Sequence, residues 1–286
     1  MTNKVSEAFG RTGQSVISIA KLVLQCRRAT VTRAKPDPSG RIIILGNGPS
    51  LNDTIARHEE LLEHTPAMAV NFFANTPVFR QLRPSYYILI DPLFFGGGDG
   101  DNFNKLNENL AAVDWPMTLI VPVKYRHRIS AGIRANSHIT ILTVNAIAIE
   151  GWRWLTDMAY TAGLGMPRPR NVLIPAIMAA IQMGYRQIYI VGADHSWMRT
   201  IEVNERNEVV SVQPHFYKED KKEEKRIRTD YLRYPLHEIV HSFYVAFKSY
   251  HDIRRYADRH GVEVFNSTPG SYIDAFPRRQ LSMNNE

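Results

Sequence analysis

The hydrophobic pattern of the chain alternates short apolar runs with longer amphipathic stretches. The first run, 41–45, is an arginine followed by three isoleucines and a leucine, which predicts a buried strand of a parallel sheet. Similar runs predict strands at 67–70, 86–90, 117–123, 139–144, 187–191 and 262–265. Between them, helices are predicted at 51–64, 75–82, 102–112, 172–183 and 236–260. The alternation predicts an α/β fold with a doubly wound, mostly parallel sheet.

Two stretches depart from this alternation. Residues 145–170 are rich in aromatic side chains without a clear period, and we expect irregular structure there. Residues 199–214 predict a hairpin that turns at 204–207. The charged run that follows, 218–228, is typical of a solvated loop, and its place before the last helix also fits a mobile lid over about 199–232.

A glycine turn follows the first predicted strand. Gly46, Asn47 and Gly48 allow a tight turn and a close approach to a ligand, and Pro49 and Ser50 begin the next helix, with Ser50 as its predicted cap. Free backbone amides and the helix dipole favour a phosphate at such a junction. The amide of Asn47 suits a base or a sugar hydroxyl. The spacing matches neither a Walker A loop nor the dinucleotide fingerprint, so an ordinary tight turn remains the alternative.

Polar side chains stand at the carboxyl ends of several predicted strands, where open α/β sheets bind their ligands. These residues are Asn47, Asn71, Asp91, Asn145, Asp194 and His195. Together they predict one wall of a pocket, although each alone is also typical of an ordinary turn.

The net charge of +7 is concentrated at the beginning of the chain. Residues 1–40 hold seven basic and two acidic residues, which accounts for +5 of the total. The remainder is nearly balanced, and this argues against a nucleic-acid partner for the main domain. The single cysteine, Cys26, excludes a disulfide within the chain and favours a reducing cytoplasm. We therefore divide the chain into a basic arm and linker, 1–40, and a main domain, 41–286.

The arm contains an apolar stretch, 15–26, that is flanked by basic residues such as Arg27 and Arg28. It is too short and too interrupted to span a bilayer, and its charge pattern does not fit a signal peptide. A basic amphipathic helix on an anionic membrane surface fits residues 1–35. A helix packed on the domain, or on a second copy in a homo-oligomer, explains the pattern equally well.

Two histidines of the last predicted helix, His237 and His241, lie one turn apart on the same face. This spacing can bind zinc, but the sequence offers no evident third ligand, so we predict no metal site. If the start of the helix faces the pocket, a general base is the better interpretation, because imidazole has a suitable pKa.

The order of these motifs resembles the bacterial lipooligosaccharide sialyltransferases and the related flagellin nonulosonate transferases. The segment 46–51 is similar to their glycine turn, and Asn71 matches an asparagine that contacts the nucleotide. Segments 91–95, 180–194 and 269–276 are similar to later blocks of the family, the last being a proline turn followed by a helix. A group of 6-hydroxymethyl-dihydropterin pyrophosphokinases shares the glycine turn. The resemblance covers short blocks between residues 41 and 277.

The resemblance implies a Rossmann-like, variant GT-A fold and an inverting, metal-independent transfer from a CMP-sugar donor to a glycan or glycolipid acceptor. In that case the donor would be bound by Gly46, Asn47, Gly48, Ser50, Asn71, Asp91, Asn171, Asp194, His195, His215 and Tyr217. His241, with His237 in reserve, matches the histidine that takes the acceptor proton. No cofactor is implied. A peripheral position at the inner face of the cell membrane would bring the enzyme to lipid-linked acceptors.

The chain also departs from the family pattern, and two other functions stay open. Asp91 replaces an asparagine, Asn171 falls where the family has Thr-Ser-Gly, and Ser196 replaces a lid tyrosine. Carboxylates such as Asp91 and Asp194 would suit an Mg²⁺-dependent pyrophosphokinase or another phosphoryl transferase. A non-catalytic, membrane-peripheral assembly protein that keeps the nucleotide fold is the third possibility.

Overall fold

A computed structural model describes residues 4–34, 36–96, 98, 100–211 and 234–282. The strands are β1 (Arg41–Leu45), β2 (Ala67–Val70), β3 (Tyr86–Ile88), β4 (Met117–Pro122), β5 (Ile139–Val144), β6 (Gln187–Val191), β7 (Ile201–Val203), β8 (Val209–Ser211) and β9 (Glu263–Asn266). The helices are α1 (Lys4–Gln25), α2 (Leu51–His64), α3 (Val78–Leu82), α4 (Asp101–Ala111), α5 (Ala131–Ala135), α6 (Arg153–Thr161), α7 (Leu173–Met183) and α8 (Leu236–Arg259).

Seven strands form one sheet in the order β5-β4-β3-β2-β1-β6-β9, and every neighbouring pair is parallel. The chain lays down β1 to β5 in one direction across the sheet and then returns to place β6 on the other side of β1. The predicted doubly wound, Rossmann-like α/β fold is therefore confirmed. The point of reversal lies between β1 and β6, with five strands on one side and two on the other.

Strand β1 shows how the sequence produces two helical layers. Its apolar residues have no exposed surface, and they alternate between the two faces of the sheet. Ile42 and Ile44 pack in the core with α6, α7 and α8, whereas Ile43 and Leu45 pack in the core with α2, α3, α4 and α5. A strand that is buried on both faces must be apolar throughout, as this one is.

Most predicted elements are confirmed with shifts at their ends, and three predictions are wrong. Residues 145–170 are not irregular throughout, because they contain α6, which buries Leu155 and Ala159 one turn apart. The helix predicted from residue 75 begins only at Val78, after Pro77. No helix follows the proline turn at 269–270, since residues 272–276 are non-helical. The predicted hairpin is present as β7 and β8, and its last residues lie outside the described ones.

The segment after α1 is packed on the sheet domain. Val31 is fully buried, and the backbone N–H of Thr30 donates to the carbonyl of Thr143 in β5 at 3.1 Å. The boundary at residue 40 between arm and domain remains a prediction. Within the described residues, no helix is long and apolar enough to cross a membrane.

Candidate functional site

A cavity of about 380 Å³ opens at the carboxyl ends of the central strands, beside the reversal point between β1 and β6. In open α/β sheets this is the position where ligands bind. Five segments contribute to its lining: 46–49, 70–71, 90–92, 169–173 and 192–197, with position 193 absent from the wall. The cavity is within the size range of small-molecule sites.

The glycines of the turn bring β1 and β6 together. The backbone N–H of Gly46 donates to the carbonyl of Val191, and that of Gly48 donates to the carbonyl of Gly192, both at 2.8 Å. A Cβ on Gly46 would lie 2.5 Å from the Gly192 oxygen, so the two backbones could not approach as closely. Two of the amides that the sequence assigns to a phosphate are thus already hydrogen-bonded to β6.

A carboxylate lies at the beginning of α2. The hydroxyl of Ser50 donates to Oδ2 of Asp194 at 2.8 Å and makes no capping bond to the helix. Ser50 occupies the predicted N-cap position of α2, but its backbone is helical, with φ of −63° and ψ of −12°, and its side chain makes no capping bond. The same carboxylate lies where a Cβ on Gly48 would be 2.0 Å away. An anion bound here would have to accommodate the negative charge of Asp194.

Three polar residues of the cavity lining come from the ends of β1, β2 and β3. Nδ2 of Asn47 donates to the carbonyl of Val70 at 3.2 Å, while its buried Oδ1 has no hydrogen-bond partner among the described residues. Asn71 adopts a left-handed backbone conformation with φ of 51°. Oδ1 of Asp91 accepts from the backbone N–H of Leu93 at 2.9 Å, which fixes its carboxylate at the rim.

His195, Tyr250 and Asn171 form a hydrogen-bonded cluster at the other end of the cavity. Oδ1 of Asn171 accepts from the backbone N–H groups of Leu173 and Ile174, at 3.0 and 3.3 Å, and so caps α7. The same oxygen accepts the hydroxyl proton of Tyr250 at 3.0 Å. Nε2 of His195 lies 2.7 Å from the Tyr250 oxygen and 3.5 Å from Nδ2 of Asn171, so the tautomer of His195 decides whether Nε2 donates or accepts.

The cluster holds the His195 ring in place through Nε2. Burial lowers the pKa of His195 to about 3, because the imidazolium ion would lose its hydration without gaining a charged partner. Burial also raises the pKa of Tyr250 above its ordinary value. The two rings are thus neutral hydrogen-bonding groups near pH 7, and they fix each other's position.

Two residues of the cavity wall were missed by the sequence analysis. Arg170 is the cationic residue among those lining the cavity, and its guanidinium donates to the hydroxyl of Ser242 in α8 at 2.6 Å. The ring of Trp197 lies 4.1 Å from that of His195 and packs on Phe243. The signal for Arg170 in the sequence was its position directly before Asn171, the residue that caps α7. The beginning of α7 lies at the same edge of the sheet as the cavity.

Asn145, predicted in the pocket wall, instead donates to the carbonyls of Arg27 and Gly163 and does not line the cavity. The residues with an implied donor-binding or catalytic role fall into three groups. Gly46, Asn47, Gly48, Asn71, Asp91, Asn171, Asp194 and His195 line the cavity, and Ser50 contacts it through Asp194. His237 and His241 are exposed on α8 and are not part of the cavity lining. His215 and Tyr217 lie outside the described residues. The roles assigned to all of these residues remain predictions.

The described residues contain no cluster of three or more His, Cys, Asp or Glu side chains placed to hold a metal ion. Asp91 and Asp194 both line the cavity, and each is fixed by a hydrogen bond to a different element.

Comparison with known proteins gives a match among solved structures. No family model and no curated protein sequence matches the chain. Among solved structures, the fold is similar to that of the MAf glycosyltransferase from Magnetospirillum magneticum AMB-1, with 12% sequence identity and a TM-score of 0.50. The match covers 94% of this chain and 38% of that chain, so this chain spans well under half the length of its neighbour. A likeness at this identity shows a shared fold.

Proposed function

We propose that the chain is an inverting glycosyltransferase that uses a CMP-activated nonulosonate or a related 2-keto sugar acid. The acceptor is a cell-surface glycan or glycolipid, met at the inner face of the membrane. The observation that supports this most is the cavity at the reversal point of the sheet, lined by amide, carboxylate and guanidinium groups from five segments. The sequence resemblance and the fold shared with a glycosyltransferase favour sugar transfer over other uses of the cavity.

The side chains at the two ends of the cavity suit different parts of the donor. The amides of Asn47 and Asn71 suit the base and ribose, since each carries both donors and acceptors. The guanidinium of Arg170 suits the phosphate or the carboxylate of a 2-keto sugar acid, to which it can donate two hydrogen bonds. The face of Trp197 offers an apolar surface for the sugar ring or the base.

In the proposed reaction the acceptor hydroxyl attacks the anomeric carbon of the donor from the face opposite CMP. The bond between that carbon and the phosphate oxygen breaks, its electron pair leaves with CMP, and the hydroxyl proton passes to a histidine. We assign the role of proton acceptor to His241, with His237 as the alternative. His241 precedes Ser242, which binds the cavity-lining Arg170, so an acceptor at the rim would meet this part of α8.

One observation favours a second function. The carboxylate of Asp194 lies at the beginning of α2, and Asp91 lies across the cavity, so an Mg²⁺ ion bound between phosphate and carboxylates would relieve the repulsion there. An Mg²⁺-dependent phosphoryl transferase of the pterin pyrophosphokinase type would use these residues. The non-catalytic assembly protein lacks an observation of this kind.

The experiment that tests the proposal measures CMP release from CMP-activated nonulosonates by the full chain, with and without EDTA. We expect turnover that resists EDTA and depends on an added glycan or glycolipid. His241→Ala should remove most turnover and retain donor binding, with Tyr244→Ala, one turn further along the exposed face, as the matched control. EDTA-sensitive consumption of ATP would instead establish the phosphoryl transferase, and no turnover with any donor would favour the assembly protein.

A further inference from the structure

Helix α1 binds the domain through its polar side. The hydroxyl of Ser18 donates to the carbonyl of Glu150 at 2.8 Å and accepts from the Glu150 N–H at 2.9 Å. The hydroxyl of Ser15 accepts from the backbone N–H of Trp152 at 2.8 Å. Both serines are buried, and a Cβ on Gly151 would lie 2.2 Å from the Ser15 oxygen, so the helix is seated closely on residues 148–152.

The apolar side of the same helix points away from the domain. Large apolar side chains remain mostly exposed on it: Phe9 76%, Val16 62%, Ile17 58%, Val23 75% and Leu24 72%. At about 100° per residue, these positions lie in one sector opposite the two buried serines. A helix that served only to pack on its own domain would bury this face, because apolar surface is stabilised by leaving water. The arrangement is therefore reversed with respect to an ordinary surface helix.

The neighbouring helix α6 also exposes apolar residues. Nε1 of Trp152 donates to the hydroxyl of Thr12 in α1 at 3.2 Å, which places the beginning of α6 beside α1. Two residues later, Trp154 is 64% exposed, and Met158, one turn further on, is 49% exposed. Tryptophan is enriched where proteins meet the interface of a bilayer. The outward residues of α1 together with Trp154 and Met158 are called the apolar stripe below.

The basic residues near the apolar stripe indicate what kind of surface covers it. Arg27 and Arg28 are exposed directly after α1, and Glu7 is the sole acidic residue of the sequence before Asp37. A cavity of about 290 Å³ next to α1 is lined by five cationic and three acidic side chains, and each of the acidic ones is paired with a cationic one. Two such arms would repel each other across a dimer interface, whereas an anionic lipid surface attracts them.

We propose that the apolar stripe and the basic residues at the end of α1 dock the protein on an anionic lipid bilayer, with α1 lying in the plane of the interface. Residues of the stripe enter the boundary between headgroups and acyl chains, while the serines keep the helix on its domain. The inference rests on the proposed function only for its purpose, which is to hold the enzyme beside membrane-bound acceptors. The docking itself is independent of any activity.

The test is flotation of the purified full chain with phosphatidylcholine vesicles that contain or lack phosphatidylglycerol. We expect flotation with the anionic vesicles and little with the neutral ones. Replacing Val16, Val23 and Leu24 by Gln should lower binding by on the order of tenfold or more. The control replaces Leu236, Val240 and Tyr244, which form another exposed apolar row on α8, by Gln and should bind like the wild type.

Further variants and measurements test the role of charge and separate docking from folding. Arg27→Gln with Arg28→Gln should weaken binding and reduce its dependence on salt. Circular dichroism and CMP titration of each variant separate loss of docking from loss of folding or of the donor site. The proposal is overturned if the wild type fails to float with anionic vesicles, or if the stripe variant floats equally well. It is also overturned if neither protein binds vesicles and the wild type is a dimer whereas the stripe variant is a monomer.

Discussion

At the scale of single residues, His195 shows how the structure changes the meaning of a sequence motif. The sequence places His195 after a strand, as part of a predicted pocket wall and, by resemblance, as a donor-binding residue. In the structure the ring is buried, is hydrogen-bonded to Tyr250, and its backbone has φ of 50°. Because burial lowers the pKa of His195 to about 3, the ring is a fixed neutral group at the pH of the cell. Its position suits binding and orientation of the donor.

The lowered pKa of His195 predicts a pH dependence of stability. The unfolded chain takes up a proton near the ordinary histidine pKa of about 6.5, whereas the folded chain does so only near pH 3. As the pH falls through 6.5, this histidine should therefore reduce the free energy of unfolding, by up to about 1.4 kcal/mol per pH unit. The stabilisation is present above pH 6.5 and is lost between that pH and 3.

The comparison is between wild type and His195→Asn, measured by urea unfolding between about pH 4 and pH 7. Asparagine does not titrate, and it tolerates the left-handed backbone conformation better than most residues. We expect the slope of unfolding free energy against pH to be smaller in the variant over this interval. Equal slopes in the two proteins would show that His195 is not held neutral by burial.

A second residue-scale prediction concerns Arg170. If its guanidinium binds the phosphate or carboxylate of the donor, Arg170→Gln should weaken donor binding by roughly 1.5–3 kcal/mol, about ten- to a hundredfold. Arg168→Gln is the matched control, because Arg168 forms an ion pair with Glu150 and does not line the cavity. Calorimetric titration with the CMP-activated donor measures the donor affinity of both variants. Equal losses in the two variants would remove Arg170 from the donor site.

At the scale of elements, the glycine turn after β1 has a different task from the one its sequence suggests. The pattern of strand, glycines and helix predicts free amides for a phosphate. The amides of Gly46 and Gly48 instead donate to β6, and the absence of a Cβ is what lets the two strand ends meet. The turn thus builds the floor of the cavity, and the amide side chain of Asn47 is left as its polar contribution.

Gly46→Ala should therefore destabilise the fold. Its Cβ would lie 2.5 Å from the Gly192 oxygen and 3.1 Å from that of Val191, so the strand ends must separate. Strain of this kind costs about 1–3 kcal/mol. Gly13→Ala is the control, since nothing lies within 4 Å of the added Cβ and alanine favours the helix. Thermal unfolding should show a lower midpoint for the first variant alone, and an unchanged midpoint for both would refute the close contact.

Helices α1 and α6 show where element prediction succeeds and where it fails. The amphipathic period of α1 is evident in the sequence, but which side faces the domain is not, because buried serines and exposed aliphatic residues reverse the usual pattern. Helix α6 was missed among aromatic residues and glycines. Leu155 and Ala159, at i and i+4, were the signal for it, and both are buried.

At the scale of the whole molecule, the sheet was predictable and the composition of the site was only partly so. Parallel strands that are buried on both faces leave an apolar signature, and their carboxyl ends must lie on one edge, which brought Asn47, Asn71 and Asp194 together. The contribution of Tyr250 to the site could not be predicted from the sequence in the same way. It reaches the site from the middle of a long helix, and its row with Phe243 and Phe247 indicates a buried face without specifying what that face covers.

The central claim is that the cavity between β1 and β6 is a donor site for a CMP-activated sugar. Isothermal titration of the full chain with CMP, UMP, GDP and ATP tests it most directly, with Asn47→Ala to localise the binding. We predict that CMP binds most tightly, that EDTA leaves its affinity unchanged, and that Asn47→Ala weakens it. The account would be contradicted if CMP bound no more tightly than the other nucleotides, or if its affinity were the same in Asn47→Ala.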